Sequence, residues 1–386
     1  MRQHSWDRPW ALLALLVPLA SSAAQLGSPD DLLSVEIHGF ASPGFLVSTH
    51  RNNYLARSST GSFEFSEVGI NFTKQLTDTL RFGLQLFAQD LGPSGNYAPK
   101  ADWFYLDYRW RDWLGLRAGR VKLPFGLYND VSDIDAARVP VLLPQSLYPA
   151  TSRNFLLAQT GFELYGYLTM GRGGALDYRL YGGAVFVDTP QPTPTTIVSS
   201  IGAPYVFGGR VLWETPVTGL RAGASVQALR IDSTLFFNGT PLLLTIPAVL
   251  VVGSAEYSNN NLLIAAEYRR WFTGILSSDP TLIPPSATTS ERAYASVSYR
   301  VGTWFWPGAY YSVLFPDVSQ RGQRQQYQHD IAATLRFDIN SHWLVKLEGH
   351  FMSGTAGLSA GLNDGRAPST LAPNWAVILA KTTVYF

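Results

Sequence analysis

The sequence has no cysteine, and it carries little charge. Without cysteine there are no disulfides, so in an oxidising compartment the fold must depend on its backbone hydrogen bonds. Charged residues make up 15% of the chain, below the ~25% of an average soluble domain. The net charge of +1 provides no strong positive field. These deficits argue against nucleic acid as a partner and against an ordinary soluble surface.

The longest apolar run lies at the N-terminus, over residues 10–20. Two arginines precede it and small residues follow it. A run of about eleven residues is too short to cross a bilayer as a helix, which takes about twenty. Basic, apolar and small-residue regions in this order are typical of a secretory signal peptide. We predict a signal peptide over residues 1–24, a short lead over 25–34 and one barrel domain over 35–386.

Apolar residues recur at every second position along most of the remaining chain. Leu80 to Gln89 and Trp343 to Glu348 are clear examples. This period is that of a β-strand with two different faces, and helical spacing is not sustained. About sixteen such segments follow one another, including predicted strands at 204–215, 218–231, 247–258 and 261–273. The sequence therefore predicts an all-β fold.

The connections between these segments alternate between short turns and long loops rich in proline and glycine. This alternation predicts an antiparallel barrel with tight turns at one rim and long loops at the other, as in bacterial outer-membrane barrels. The apolar segment that ends at Phe386 fits a last strand whose terminal ring lies at the membrane interface. Six tryptophans flank the predicted short turns, as expected of an interfacial aromatic belt: Trp110, Trp113, Trp213, Trp304, Trp306 and Trp343. We predict a transmembrane barrel of about sixteen strands.

The polar series of each strand should then face the interior, because an arginine or lysine facing mid-bilayer lipid costs ~2–4 kcal/mol. About sixteen strands enclose a space too wide for side chains to fill, so we expect an aqueous channel. The basic residues predicted on the pore wall are Arg81, Arg109, Arg117, Arg179, Arg210, Arg300, Arg336 and Lys346.

The longest predicted connection, residues 123–157, is unusual for a compact domain and suggests a function. Its second half is apolar and must be buried, and the barrel wall is the nearest surface. We expect this third loop to fold into the lumen and narrow the pore, with Asp130, Asp133, Asp135 and Arg138 at the constriction. Opposed acids and cations would then orient dipolar solutes. The alternative is that the loop caps the barrel from outside.

Two stretches resemble known proteins. The segment from Arg120 to Asp130 and the segment from Ser59 to Gly69 are similar to sixteen-stranded Gram-negative porins, most closely to phosphate-selective O/P-type and related porin-like proteins. The resemblance implies a homotrimeric outer-membrane channel with its third loop folded inside. Phosphate selectivity is not implied, because this chain lacks the dense lysine ladder expected of that group.

The sequence has no P-loop and no H-E-x-x-H, and its one G-x-S-x-G match, Gly357–Gly361, lies in a predicted long connection and not in the strand-to-helix turn that this motif needs. We therefore expect no cofactor, and partners limited to the lipid bilayer, small hydrophilic solutes or ions, and further copies of the chain. The prediction is a non-enzymatic outer-membrane porin for passive diffusion, with a weak anion preference. The alternatives are an outer-membrane barrel enzyme of the lipase or protease type, and an adhesin or receptor that uses its extracellular loops.

Overall fold

The structure, a computed structural model, describes residues 24–26, 34–190 and 195–386. The predicted signal peptide, apart from Ala24, lies outside this range, so it and the domain division stay predictions. The described residues form seventeen strands. They are β1 (Ala24–Leu26), β2 (Val35–Ser48), β3 (Phe65–Thr77), β4 (Leu80–Leu91), β5 (Lys100–Arg111), β6 (Leu114–Lys122), β7 (Ala158–Thr169), β8 (Ala175–Val185), β9 (Thr196–Glu214), β10 (Leu220–Phe237), β11 (Thr240–Asn259), β12 (Leu262–Ser277), β13 (Ser286–Tyr299), β14 (Phe305–Phe315), β15 (Gln328–Asn340), β16 (Trp343–Gly354) and β17 (Asn374–Tyr385).

Strands β2 to β17 form one closed antiparallel barrel of sixteen strands, which confirms the predicted fold class. Each strand pairs with its neighbours in sequence, and β17 closes the ring by pairing with β2, for example at Ala380 opposite Phe45. Phe386 extends this closure, since its backbone exchanges hydrogen bonds with Gly39. Closure leaves no long unpaired edge, which is what a strand-built membrane protein requires. The short β1 pairs with the start of β2.

One connection breaks the predicted alternation of short and long loops. The loop expected between 231 and 247 is absent, because β10 and β11 continue to a two-residue turn at Asn238 and Gly239. Both turn residues have positive φ, 50° and 83°, as a type I′ hairpin turn requires. Strands β9 and β12 also extend beyond their predicted bounds, so β9 to β12 form a taller wall than the rest of the barrel.

The two faces of each strand differ as predicted. On β16, Leu347 and Phe351 are 45% and 56% exposed on the outer surface, while Lys346, Glu348 and His350 are buried on the inner one. Five of the six tryptophans assigned to the belt are exposed near the short-turn rim: Trp110, Trp113, Trp213, Trp304 and Trp343. The assignment of Trp306 to the belt is wrong, because its side chain points inward and is buried.

Helices are short and lie in the connections. The single α-helix among the described residues is α1 (Arg153–Leu156), and 3₁₀ turns occupy Ser58–Thr60, Asn129–Val131, Asp135–Ala137, Ala150–Ser152, Gly171–Gly173, Arg324–Gln326 and Pro368–Thr370. Within residues 24–26, 34–190 and 195–386, no helix has the length and apolar character needed to cross a membrane.

Candidate functional site: the long loop and the inner wall

Residues 123–157, called the long loop below, contact wall strands from around the barrel. Leu127 N donates to Glu267 Oε1 of β12 at 2.8 Å, and Arg153 Nη2 donates to Asp102 Oδ2 of β5 at 2.5 Å. The loop also contacts β9, β15, β16 and β17 through polar groups. Its apolar side chains, such as Phe125 and Leu147, join a buried cluster with inward residues of β9 to β12. The long loop therefore packs against the inner face of many strands.

Asp130 is held by two of the predicted wall cations. Its Oδ2 lies 3.0 Å from Arg179 Nη1 and 3.0 Å from Arg210 Nη2. Desolvation disfavours the charged carboxylate, but Arg210 and then Arg179 outweigh it and hold the pKa of Asp130 below its ordinary value. Asp130 is consequently ionised and paired at neutral pH.

The other two acids are buried more deeply in the same way. Asp133 Oδ1 lies 2.7 Å from Lys122 Nζ, and its Oδ2 accepts from Gln85 Nε2 at 2.9 Å. Asp135 Oδ2 lies 3.1 Å from Lys346 Nζ and accepts from Thr383 Oγ1 at 2.7 Å. Burial opposes ionisation of Asp135, but its lysine neighbours hold its pKa far below the ordinary value. Acids and cations thus lie in direct contact here, and no water-filled gap separates these pairs.

Arg138, Arg336 and Lys346 fix the chain after these acids. Arg138 Nη2 lies 3.4 Å from Asp135 Oδ1. Arg336 Nη1 donates to the carbonyls of Ala136 and Arg138 at 2.7 and 3.0 Å, and Lys346 Nζ donates to those of Asp135 and Arg138 at 2.7 and 2.8 Å. Both wall cations hold the loop backbone, and Lys346 also holds the Asp135 carboxylate.

Two wall carboxylates that were not selected as site residues also bind the loop. Glu348 accepts from the backbone N–H groups of Val141 and Leu142 at 2.8 and 2.9 Å. Glu267 accepts from Leu127 N and from the hydroxyl of Tyr148. Both glutamates fall on the inward series by alternation, which was the available signal. Their loop partners lie more than 100 residues away in sequence, and no local pattern identifies them.

Five of the predicted wall arginines and one predicted constriction acid line one cavity, of about 90 Å³, on the short-turn side of the long loop. We call it the inner cavity. Its charged lining consists of Arg81, Arg109, Arg117, Arg179, Arg210 and Arg221, with Asp107, Asp112, Asp130, Asp177 and Glu214. Most of these form ion pairs, such as Arg117 with Asp107 at 3.1 Å. The cavity is polar, of mixed sign, with one more cation than anion.

His350 occupies the most enclosed polar cluster of the wall. Its Nδ1 lies 2.9 Å from Asp330 Oδ1 and its Nε2 lies 3.0 Å from Glu348 Oε1. This cluster couples β15 and β16 to the loop amides that Glu348 accepts. Within the described residues, no group of three histidine, cysteine or acidic side chains is arranged to hold a metal ion.

Comparison with known proteins gives the fold. No family model and no curated protein matches the chain. Solved structures do match: OmpF of Salmonella typhi in complex with daunomycin has a TM-score of 0.58 at 13% identity, over 94% of this chain and 100% of that one. OmpT of Vibrio cholerae has a TM-score of 0.57 at 12% identity, over the same shares. An anion-selective porin from Comamonas acidovorans has a TM-score of 0.55 at 13% identity, over 92% of this chain and 99% of that one. The chain therefore shares the barrel fold of outer-membrane porins.

Proposed function

We propose that the protein is an outer-membrane channel for passive diffusion of small hydrophilic solutes and ions, with a weak anion preference. The observation that carries the proposal is the difference between the two faces of the barrel. The outer face exposes apolar residues such as Leu347 and Phe351, while charged residues such as Lys346 and Glu348 lie on the inner face. An apolar exterior suits acyl chains, and a polar interior suits water and solutes.

The long loop supports a narrowed channel. Its polar contacts reach strands from β5 to β17, which supports a loop that folds into the interior that the strands enclose. Asp130, Asp133, Asp135 and Arg138 would then shape the constriction chiefly by holding the loop in place, since each is paired. The excess of one arginine over acids in the inner cavity supports the weak anion preference.

The location and assembly follow from the same reasoning. An apolar outer face with an aromatic belt supports residence in the outer membrane after removal of residues 1–24. A homotrimer is proposed on the resemblance to Gram-negative porins, and a form of Vibrio cholerae OmpT with the same fold is described as a trimer.

The alternatives have less support. A barrel hydrolase needs a nucleophile beside its base, but His350 faces Asp330 and Glu348, and no serine hydroxyl lies within hydrogen-bond distance of it among the described residues. An adhesin or receptor needs exposed loops with a binding surface. Loops 49–64 and 355–373 instead bond to each other, through Asn53 and Asn363.

A planar bilayer experiment tests the proposal. Purified protein is added to a bilayer under a KCl gradient, and current is recorded as a function of voltage. We expect stepwise ohmic currents and a reversal potential that reports a small preference for chloride over potassium. A bilayer that stays silent at all protein concentrations would contradict the channel and favour the enzyme or adhesin.

A further inference from the structure

A second cavity lies where the long loop meets the inward faces of β13, β14 and β15. Ser296 and Ser298 of β13, Gly308 of β14 and Thr334 of β15 form one side of it, and residues 137–144 of the loop form the other. We call it the β13–β15 cavity. The small side chains of these wall residues leave space between the strands and the loop. A Cβ atom at Gly308 would lie 3.3 Å from both Val139 Cγ1 and Ser298 Cβ, so glycine allows Val139 of the loop to pack closely against β14 at this cavity.

The charges that line this cavity have one sign. Arg138, Arg221 and Arg336 line it, and no carboxylate does among the residues that the structure describes. Their acidic partners lie outside the lining, as with Glu256, which is 2.8 Å from Arg221. The inner cavity, in contrast, mixes six arginines with five acids. The charged side chains that the β13–β15 cavity presents to a solute are therefore all positive.

Arg300 adds a cation whose charge is not neutralised. Its guanidinium carbon lies 5.0 Å from the ring centroid of Trp306, and Arg336 lies 5.9 Å from the same ring. Trp306 lines the β13–β15 cavity. Within residues 24–26, 34–190 and 195–386, Arg300 takes part in no ion pair, unlike Arg221 and Arg336, and its buried Nε has no hydrogen-bond partner. A half-buried, unpaired cation is costly, so the site favours an anion beside it.

The cavity lies in line with the cavities on either side of it. Arg292 and Ser312, the next inward residues toward the long-loop rim, line an outer cavity of about 450 Å³. Residues 143–144 of the long loop line the β13–β15 cavity, and residues 145–146 line the outer one. At the other end, Arg221 lines both the β13–β15 cavity and the inner cavity. Lining residues that are shared or adjacent thus place the β13–β15 cavity next to both other cavities.

We propose that solutes cross the barrel through the β13–β15 cavity, and that it favours small organic anions with a short apolar body, such as alkyl monocarboxylates. This inference rests on the proposed channel function. Leu143, Pro140 and Tyr310 supply apolar contact for an alkyl chain. Arg336 in the lining, and Arg300 next to the lining residue Trp306, supply the positive charge for the carboxylate. Asp130, Asp133 and Asp135 hold the loop through their ion pairs, and none of these three acids lines this narrow part of the route.

The first test locates the route with single cysteines, which the cysteine-free chain makes straightforward. Ser296→Cys places a thiol in the β13–β15 cavity. The matched control is Ser225→Cys on β10, where the buried serine accepts from Gly126 N at 3.0 Å behind the long loop. Each variant conducts in a planar bilayer while a sulfonated methanethiosulfonate is added. We expect the reagent to reduce the current of Ser296→Cys by at least about half and to leave that of Ser225→Cys unchanged.

The outcomes separate the two claims. If both variants conduct and the reagent leaves the current of Ser296→Cys unchanged, or blocks only Ser225→Cys, the proposed route through the β13–β15 cavity is wrong. The proposed channel function is unaffected by that result. If unmodified protein never conducts, the channel itself is wrong and the route falls with it. Heat-dependent mobility in SDS shows that each variant is folded before it is used.

The second test concerns the solute class. In a potassium butyrate gradient, the reversal potential gives the permeability of butyrate relative to potassium. We expect the butyrate-to-chloride permeability ratio to exceed the ratio of their mobilities in water. We expect Arg300→Gln to lower the butyrate-to-potassium ratio about tenfold, equivalent to about 1.4 kcal/mol. The control is Arg230→Gln, on the outer face, where Arg230 pairs with Asp232. The organic-anion preference is overturned if Arg300→Gln and Arg230→Gln change the butyrate-to-potassium ratio equally. It is also overturned if the butyrate-to-chloride permeability ratio equals the ratio of the two mobilities in water.

Discussion

Neutralising Asp135 should release the long loop from the wall while the barrel stays folded. In Asp135→Asn, the carboxylate that faces Lys346 at 3.1 Å and Lys381 at 3.7 Å loses its charge. Lys346 is fully buried, so the change leaves an uncompensated cation in the interior. Breaking a buried pair in this way costs about 3–5 kcal/mol. The equilibrium between docked and undocked loop should shift by a factor of about 10² to 10⁴.

The strand ladder does not depend on this pair, because β16 and β17 are joined by backbone hydrogen bonds along their length. The variant should therefore keep the heat-dependent mobility in SDS of a folded barrel. Its loop should be cleaved by protease within residues 123–157 much faster than in the unmodified protein, and its single-channel conductance should rise. Proteolysis and conductance both report whether the long loop is docked, and proteolysis does so without a membrane current.

A matched control is Asp112→Asn. Asp112 pairs with Arg109 at 2.9 Å, but its side chain is 84% exposed in a turn. Such surface pairs contribute at most about 1 kcal/mol, so we expect cleavage of the long loop not to change. If Asp135→Asn folds and shows the same loop cleavage as Asp112→Asn, the argument that buried ion pairs hold the loop is refuted.

Three further predictions address the loop and the lipid face. Glu348→Gln removes a charged acceptor from the N–H groups of Val141 and Leu142 and should weaken loop docking by about 1.5–3 kcal/mol, measured by loop proteolysis; unchanged proteolysis would contradict this anchor. Desolvation raises the pKa values of Asp130, Asp133 and Asp135, but their cationic partners lower them by more, so each pKa lies below its ordinary value of 3.8. Their contribution to loop docking is fully present above pH 3.8 and is lost as the pH falls through the lowered pKa values. Conductance should therefore stay constant from about pH 7 to about pH 5 and rise only below about pH 4. A conductance that falls on acidification would contradict this prediction. Leu164→Arg, at a lipid-facing position of β7 that is 44% exposed, should lower the unfolding free energy in a bilayer by ~2–4 kcal/mol relative to Leu164→Ala, and equal values would contradict its contact with lipid.

The strand pattern could be predicted because it is local. Alternation alone assigned Arg210, Glu267 and Lys346 to the inner face, and each is buried there. The turn at Asn238 and Gly239 was also readable, since Asn-Gly between alternating segments is a strong hairpin signal. The predicted strands nevertheless ended at 231 and began again at 247.

The pairing of the interior could not be predicted in the same way. Asp135 meets Lys346, 211 residues later in sequence, and this partner depends on the path of the long loop across the ring. The sequence predicted acids and cations facing each other across water, whereas the structure brings them into contact. The misassignment of Trp306 had a different, local cause. Its place near a turn suggested the aromatic belt, but it belongs to the alternate residues of β14 whose side chains point inward.

The claim that matters most is that alternate residues of each strand contact lipid. Single cysteines placed one at a time along β16, from Leu344 to Met352, can carry a small fluorophore in vesicles that contain brominated lipid. The account predicts strong quenching at Leu347, Gly349 and Phe351 and weak quenching at Lys346, Glu348 and His350. Quenching that is uniform along the strand, or strongest at the charged positions, would contradict the claim that the apolar series of each strand faces lipid.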